Sequence, residues 1–161
     1  MRSLLVLTAS MSSQNGTAAA SFCIDGVTTV GGEGATCHTL DNTQEWLVVT
    51  VTGYRLQSVN KVVVYNRIDC CQDRINNANL IYSYDFAGTS IIHQSSLGIS
   101  GSLVYTFDFS TTTYVRIQHT TIINLVEVEM YYNNVKIPTG SDANIYFHSS
   151  LTSFPSLLIS L

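Results

Sequence analysis

Charged residues are scarce in this sequence. They make up 11% of its 161 residues, and seven basic residues against eleven acidic ones give a net charge of −4. Without a basic patch the chain lacks the surface on which nucleic acids bind, so we expect no nucleic-acid partner. Long apolar runs are also missing, because no stretch approaches the ~18 residues of a membrane-spanning helix. We therefore expect a protein that does not span a membrane.

Motifs of enzyme chemistry are missing as well. The sequence has neither the CxxC spacing of many zinc sites nor a Ser/His/Asp nucleophile elbow. Glu127 and Glu129 are candidates for the two carboxylates of a glycosidase. They lie two residues apart on one predicted strand and share a face, which favours a structural role. His93, His119 and His148 are scattered and indicate ordinary polar positions, so we predict that the protein is not an enzyme.

The N-terminal apolar run, residues 4–7, is too short for a secretory signal, whose apolar core spans roughly 7–15 residues. Two other features favour an oxidising setting outside a cell. Ser, Thr and Asn are abundant while Lys is almost absent, and four cysteines permit two disulfides. We predict an extracellular location, or one on the surface of a virion or other particle.

Short apolar or alternating runs dominate the rest of the chain. Hydrophobic residues make up 45% of the sequence, which is enough for a core. Turn-forming residues interrupt the runs every ~8–12 residues, as in β-sandwiches, and the only helical signal is a turn at residues 18–22. The pattern predicts an all-β protein, an antiparallel β-sandwich, with strands at residues 3–9, 46–51, 61–65, 78–84, 91–96, 103–109, 114–119 and 125–132.

Residues 1–132 contain all of these strands and form the predicted sandwich domain. Residues 133–161 are a predicted C-terminal extension, which begins as a linker and ends in the apolar stretch 145–161. An exposed stretch of this kind promotes aggregation. We therefore expect it to pack on the sandwich or on a neighbouring subunit, and the second arrangement implies a homo-oligomer or a fibre.

A polar cluster follows the most apolar strand. Residues 62–74, VVVYNRIDCCQDR, contain two of the five arginines and two of the four cysteines. A turn through the cysteines would bring Arg67 and Arg74 to one opening, where each rigid guanidinium can donate to neighbouring oxygens. The alternative is a solvated loop with two structural ion pairs, Arg67 with Asp69 and Arg74 with Asp73.

The adjacent cysteines, Cys70 and Cys71, also allow two arrangements. Their Cα atoms lie ~3.8 Å apart across a trans peptide, which is less than the roughly 4.4–6.8 Å of ordinary disulfides. A bond between them would form a small ring with a flat sulfur face. The alternative is two separate cysteines, one of them buried and the other paired elsewhere.

The string YNRIDCCQDR resembles the signature of the F-type lectins, or fucolectins. That signature is a histidine, about 26 residues, Arg-x-Asp, four residues, and Arg or Lys. Here His38, 28 intervening residues, Arg67-Ile68-Asp69, four residues and Arg74 follow the same order. Further segments similar to the family's are FCIDG (22–26), EWLVVTV (45–51), YVRIQ (114–118) and LVEVEMY (125–131). The resemblance spans about residues 8–132 and implies a discoidin-like jelly roll.

The resemblance also implies a binding site for terminal L-fucose. His38, Arg67 and Arg74 would donate hydrogen bonds to the sugar's 3-OH, 4-OH and ring oxygen. Asp69 would orient the arginines without touching the sugar. Leu40 is the candidate for the pocket that receives the methyl group.

The family's adjacent cysteines fall on Cys70 and Cys71, and their disulfide would lie against the sugar's carbon skeleton. The family also pairs a cysteine at the position of Cys37, but its usual partner position holds Val126 here. Cys23 is the expected replacement, and a Cys23–Cys37 disulfide would close a loop worth ~3 kcal/mol.

Family members often carry a structural calcium ion. Asp25 and Glu127 occupy matching places, so calcium is the one expected cofactor. Calcium takes roughly 6–8 oxygen ligands, and the family's Asn-rich loop is replaced here by VTTVGGEG (27–34).

We expect a lectin that binds fucosylated glycans, with a millimolar to micromolar Kd, or about −4 to −8 kcal/mol per site, and that gains avidity from several copies. The alternative hypothesis is a structural subunit of a virion surface, capsid decoration or fibre, with a vestigial sugar site. Three features favour it: Leu47 stands where the family has a second Trp, His38 follows Cys37 directly, and the tail is apolar.

Overall fold

The computed structural model describes residues 6–29, 35–52, 59–97, 104–108, 114–132 and 134–139. Short 3₁₀ turns span Ala20–Ile24 and Gln72–Ile75. The strands of this part of the chain are β1 (Val6–Met11), β2 (Cys37–His38), β3 (Glu45–Thr52), β4 (Lys61–Asn66), β5 (Asn79–Ser83), β6 (Ile91–Ser96), β7 (Val104–Asp108), β8 (Tyr114–His119), β9 (Asn124–Tyr132) and β10 (Val135–Lys136).

The strands form two five-stranded sheets. The first has the order β1-β3-β8-β5-β6; the second has the order β10-β9-β4-β7, with β2 paired to the start of β9. Every pair of named strands is antiparallel. The predicted all-β, antiparallel sandwich is therefore confirmed. No helix among the described residues is long and apolar enough to cross a membrane.

Side chains from both sheets meet in one apolar core, because β-branched and other large apolar residues alternate along the central strands. Full burial of such a side chain stabilises the fold by about 1.5–3 kcal/mol. The fully or almost fully buried core residues include Leu47, Val49, Val62, Val64, Leu80, Val115, Ile117, Val128 and Met130.

The start of the predicted C-terminal extension, which the sequence indicated as a linker, belongs to the sandwich. β10 pairs with the end of β9, and the buried Ile137 donates its backbone N–H to the Met130 carbonyl at 2.8 Å. Thr139 forms a bridge to Leu7 on β1. The apolar stretch 145–161 lies outside the described residues, and so does any contact that it makes.

Strand ends of both sheets meet at one end of the molecule, which we call the site end. β4 and β8 finish there, while β3, β5 and β9 begin there. Contacts at this end include a bond from His119 at the end of β8 to the Asn76 carbonyl at 2.9 Å and one from Arg74, on the turn after β4, to His38 on β2 at 3.2 Å.

Candidate functional site

The turn that follows β4 is fixed by the last residue of that strand. The register of β4 against β9 shifts between Tyr65 and Asn66, which directs the chain out of the sheet. The Asn66 side chain then accepts a hydrogen bond from the Arg67 N–H at 2.8 Å and donates to the Gln72 carbonyl at 2.7 Å. One buried amide thus ties both ends of the turn.

Arg67 is 5% exposed and is held on two sides. Its Nε and Nη2 donate to the two carboxylate oxygens of Asp69 at 2.9 and 2.5 Å, and its Nη1 donates to Asn124 Oδ1 at 2.7 Å. The first of the two structural ion pairs weighed from the sequence is therefore present. The bond from Arg67 holds the pKa of the Asp69 carboxyl group well below its usual range, so Asp69 is a carboxylate at neutral pH.

Asn124 is a site residue that the sequence did not indicate. It is buried at the first position of β9, where its Oδ1 accepts from Arg67. Its Nδ2 donates to Thr36 Oγ1 at 2.9 Å and to the Cys37 carbonyl at 3.1 Å. This one amide therefore joins the Arg67 turn to β2. In the sequence, only the position of Asn124 directly before the predicted strand 125–132 could have indicated a role at the site.

His38 is buried, with 4% of its surface exposed, and is therefore not an ordinary surface histidine. Its Nδ1 lies 2.6 Å from the Thr39 carbonyl oxygen, so Nδ1 carries the proton and donates to that oxygen. Nε2 is then an acceptor, and Arg74 Nη1 donates to it at 3.2 Å. His38 positions Arg74 in this arrangement, whereas the resemblance implies that it donates directly to the sugar.

Arg74 and the adjacent cysteines lie on one short turn. Cys70 and Cys71 form a disulfide, with Cys70 exposed and Cys71 half-buried. Cys71 has φ +61°, in the left-handed region that residues other than glycine seldom adopt. The Arg74 N–H donates to the Cys71 carbonyl at 3.2 Å, and the buried Ile75 anchors the end of the turn in the core. The disulfide is therefore exposed on the turn that joins Arg67 to Arg74.

The other two cysteines, Cys23 and Cys37, form the second disulfide. It joins the 3₁₀ turn Ala20–Ile24 to β2, and both residues are completely buried. The bond fixes the two-residue strand β2 at Cys37, the residue directly before His38. Leu40 follows on the surface and is 45% exposed, with its backbone N–H donating to Ser13 Oγ at 2.9 Å. The role of Leu40 as a methyl contact stays a prediction.

Asp25 and Glu127 are in contact, but the contact is made by the Asp25 backbone N–H and not by its carboxylate. The two Glu127 carboxylate oxygens accept the N–H groups of Asp25 and Gly26, each at 3.1 Å. The Asp25 Oδ1 accepts the Val27 N–H at 2.9 Å. Burial is the main cause that raises the pKa of Glu127 to about 8.

These two carboxylates do not by themselves form a calcium site. Within the described ranges, no group of three or more His, Cys, Asp or Glu side chains is arranged to hold a metal ion. Calcium requires roughly 6–8 oxygens, and both oxygens of Glu127 already face N–H donors. The calcium assignment to Asp25 and Glu127 stays a prediction.

The second candidate carboxylate of a glycosidase, Glu129, is also held by protein donors. Tyr65 and Tyr131 donate to its Oε2 at 3.0 and 2.7 Å, and Lys136 donates to its Oε1 at 2.6 Å. Burial by itself would raise the pKa of Glu129, but these bonds, led by that from Lys136, lower it. The contacts of Glu129 are those of a structural residue that joins β4, β9 and β10.

No protein-family model matches the sequence, and no curated protein matches it either. Solved structures match it in fold. The fucose-binding module SpX-3 of Streptococcus pneumoniae has a TM-score of 0.66 at 22% identity, over 78% of this chain and 93% of that one. The lectin domain of lectinolysin, solved with Lewis B antigen, has 0.67 at 24% identity, over 78% and 92%. A serum fucolectin of striped bass, Morone saxatilis, has 0.63 at 23% identity, over 77% and 46%.

The fold is the discoidin-like sandwich of the F-type lectins. This confirms the fold that the motif around Arg67 implied. The three matched proteins are named as sugar-binding modules or lectins, and none is named as an enzyme domain. The likeness covers more than three quarters of the chain.

Proposed function

We propose that the protein is a lectin that binds the terminal L-fucose of glycans at the Arg67–Arg74 turn. One observation carries the proposal: a discoidin-like sandwich presents an exposed Cys70–Cys71 disulfide between two arginines that are each held by a buried partner. Asn124 holds Arg67, and His38 holds Arg74. Polar groups fixed in this way bind a ligand without a further entropy cost for ordering them.

The chemistry of the turn suits fucose. Neighbouring sugar hydroxyls and a ring oxygen accept the charge-assisted N–H bonds that guanidinium groups offer. The C–H face of the ring needs an apolar surface, and the disulfide supplies one beside those donors. A single open site of this kind binds with a millimolar to micromolar Kd, so we expect biological affinity to come from several copies on an extracellular or particle-borne assembly.

Calorimetric titration with L-fucose tests the proposal, with Arg74→Ala as the variant and D-glucose as the control sugar. We expect saturable binding to the unaltered protein and none to the variant, because the half-buried Arg74 contributes donors that alanine lacks. The variant should stay folded and lose no more than about 1–3 kcal/mol of stability, since the side chain of Arg74 bonds only to the buried His38 among the described residues. Folded, oxidised protein that gives no heat at millimolar L-fucose would overturn the proposal.

Replacement of the adjacent cysteines is expected to weaken L-fucose binding at least about tenfold and to change stability little. Cys70→Ser/Cys71→Ser removes the apolar sulfur face, but it opens the shortest loop that a disulfide can close, and stabilisation grows with loop length. The matched control is Cys23→Ser/Cys37→Ser, which should cost about 3 kcal/mol of unfolding free energy. Titration and chemical denaturation of both variants measure the two effects, and unchanged affinity in the first variant would refute the prediction.

Glycosylation at Asn15 is expected to block the site. Asn15-Gly16-Thr17 is an acceptor sequence on an exposed turn. The Asn15 side chain lies 3.3 Å from His38 Nδ1, and its backbone N–H donates to the His38 carbonyl at 2.8 Å. We expect protein from an N-glycosylating host to lose L-fucose binding and Thr17→Ala from the same host to retain it. Mass spectrometry gives the occupancy, and fully glycosylated protein with full affinity would contradict the prediction.

Two of the three sequence features that favoured a structural subunit are also compatible with a working sugar site. Leu47, in place of the family's second Trp, is completely buried in the core, so the position is packed. His38 reaches Arg74 although it follows Cys37 directly. The third feature, the apolar stretch 145–161, lies outside the described residues. A structural subunit therefore remains the hypothesis to adopt only when L-fucose fails to bind.

A further inference from the structure

A second polar cleft, which we call the amide cleft, lies at the site end next to the Arg74 turn. It has a volume of about 270 Å³. It is formed by the segment before β3, the segment after Arg74, the first residue of β5 and the last residues of β8. Its lining residues are five amides, one imidazole and one hydroxyl: Gln44, Asn76, Asn77, Asn79, Gln118, His119 and Thr120.

The amides of this cleft are open to a ligand. In the described part of the chain, the side chains of Gln44, Asn77 and Asn79 have no hydrogen-bond partner. Gln118 uses only its oxygen, which accepts a bond from Arg116 Nε at 3.2 Å. Each side-chain amide offers two donors and an acceptor. Sugar hydroxyls both donate and accept, so a row of amides is complementary to a saccharide.

The backbone of the cleft and its imidazole are held in place. The His119 ring donates to the Asn76 carbonyl at 2.9 Å and accepts from Thr121 Oγ1 at 2.8 Å, which fixes the ring and the segment after Arg74 together. Asn77 has φ +62°, and its N–H donates to the Leu97 carbonyl at 3.1 Å. Because the backbone that carries these amides is already fixed, a ligand has only their side chains to order.

The amide cleft lies within reach of a sugar attached to the one bound at Arg74. Asn76 follows Arg74 by two residues, a span of at most about 7 Å between Cα atoms. Among the described residues that line the cleft, none is an Asp, Glu, Lys or Arg, so they offer no permanent charge to pair with a carboxylate or sulfate group. We infer that the amide cleft binds the sugar next to the fucose in a neutral fucosylated oligosaccharide. This inference rests on the proposed function of the Arg67–Arg74 turn.

Binding of L-fucose and of a neutral disaccharide, L-fucose linked to D-galactose, tests the inference. We expect the disaccharide to bind the unaltered protein about tenfold more tightly than L-fucose. Asn77→Gly removes one amide and keeps the left-handed backbone, and Gln44→Ala removes a second. Each should bring the disaccharide towards the affinity of L-fucose while leaving L-fucose itself unchanged. Gln94→Ala, an exposed glutamine on β6, is the matched control and should change neither affinity.

The outcomes separate the inference from the proposed function. L-fucose that binds with no gain for the disaccharide would overturn the inference alone, and so would a gain that survives in both cleft variants. A sialylated ligand that gains as much as the neutral one would overturn the assignment to neutral sugars. Failure of L-fucose and of the disaccharide to bind would overturn the proposed function and this inference with it.

Discussion

Arg67→Lys is expected to abolish measurable L-fucose binding although it keeps the positive charge. The guanidinium of Arg67 meets both oxygens of Asp69 and the Oδ1 of Asn124 at once, at 2.5 to 2.9 Å. An ammonium group is a compact donor without the planar fork, so it cannot hold these two partners in their present places. We expect at least a hundredfold loss of affinity, together with about 1–3 kcal/mol of stability from the buried bonds that are lost.

The matched control is the same substitution on the outer face of the other sheet. Arg116 lies over the Trp46 ring at 4.9 Å and bonds to Gln118, and neither of these partners belongs to the Arg67–Arg74 turn. Arg116→Lys should leave L-fucose affinity within about threefold of the unaltered protein, a change below 1 kcal/mol. Titration at a temperature at which both variants remain folded separates binding from stability. Near-normal affinity in Arg67→Lys would show that the charge of Arg67, rather than its shape, is what the sugar requires.

Asp69→Asn gives the intermediate case. The amide keeps one acceptor for the Arg67 side chain but loses the charge that makes the pair strong. We expect weaker binding than in the unaltered protein and stronger binding than in Arg67→Lys. The order of the three affinities, measured by the same titration, reports how far Asp69 acts through Arg67. Complete loss in Asp69→Asn would instead indicate that Asp69 contacts the sugar.

The sandwich could be predicted because its main strands carry their signal locally. β4 and β9 are runs of β-branched and other apolar residues long enough to indicate a strand without any partner. β2 and β10 have two residues each, and no periodicity can indicate so short an element. They exist because β9 offers backbone groups for them to pair with. Such strands depend on tertiary structure and are not visible in a sequence pattern.

The same division applies to the site. Arg67, Asp69 and Arg74 are close in sequence, so a motif could indicate them together. Asn124 lies 57 residues from Arg67, and their bond forms only because β9 pairs with β4. The orientation of His38 has a similar origin, since the Thr39 carbonyl and Arg74 decide which ring nitrogen holds the proton. Spacing predicted which residues gather, and the hydrogen-bond network decides what each one does.

Stability is expected to fall as the pH rises through neutrality, and Glu127 is the residue responsible. Burial raises the pKa of its carboxyl group from 4.5 to about 8. Between these values the folded protein keeps a proton that the unfolded chain has released. Each pH unit in this window then lowers the unfolding free energy by up to about 1.4 kcal/mol. The stabilising contribution is complete below pH 4.5 and is lost above a pH of about 8. Chemical denaturation at several pH values, in a chelating buffer, measures the slope.

Glu127→Gln is the control, because glutamine has nearly the same shape and keeps an acceptor oxygen for one of the two N–H groups, of Asp25 or Gly26, but does not titrate in this range. The variant should lose most of the slope, and a slope that is the same in both proteins would contradict the assignment to Glu127. Calcium extends the test, since a carboxylate must lose its proton to coordinate a metal ion. If Asp25 and Glu127 hold calcium as the resemblance implies, added calcium will raise the stability at pH 8 far more than at pH 5, and only in the protein that retains Glu127. Equal stability with and without calcium at pH 8 would contradict the prediction of a calcium site at Asp25 and Glu127. Glu127 would then be a buried structural residue whose protonation affects stability.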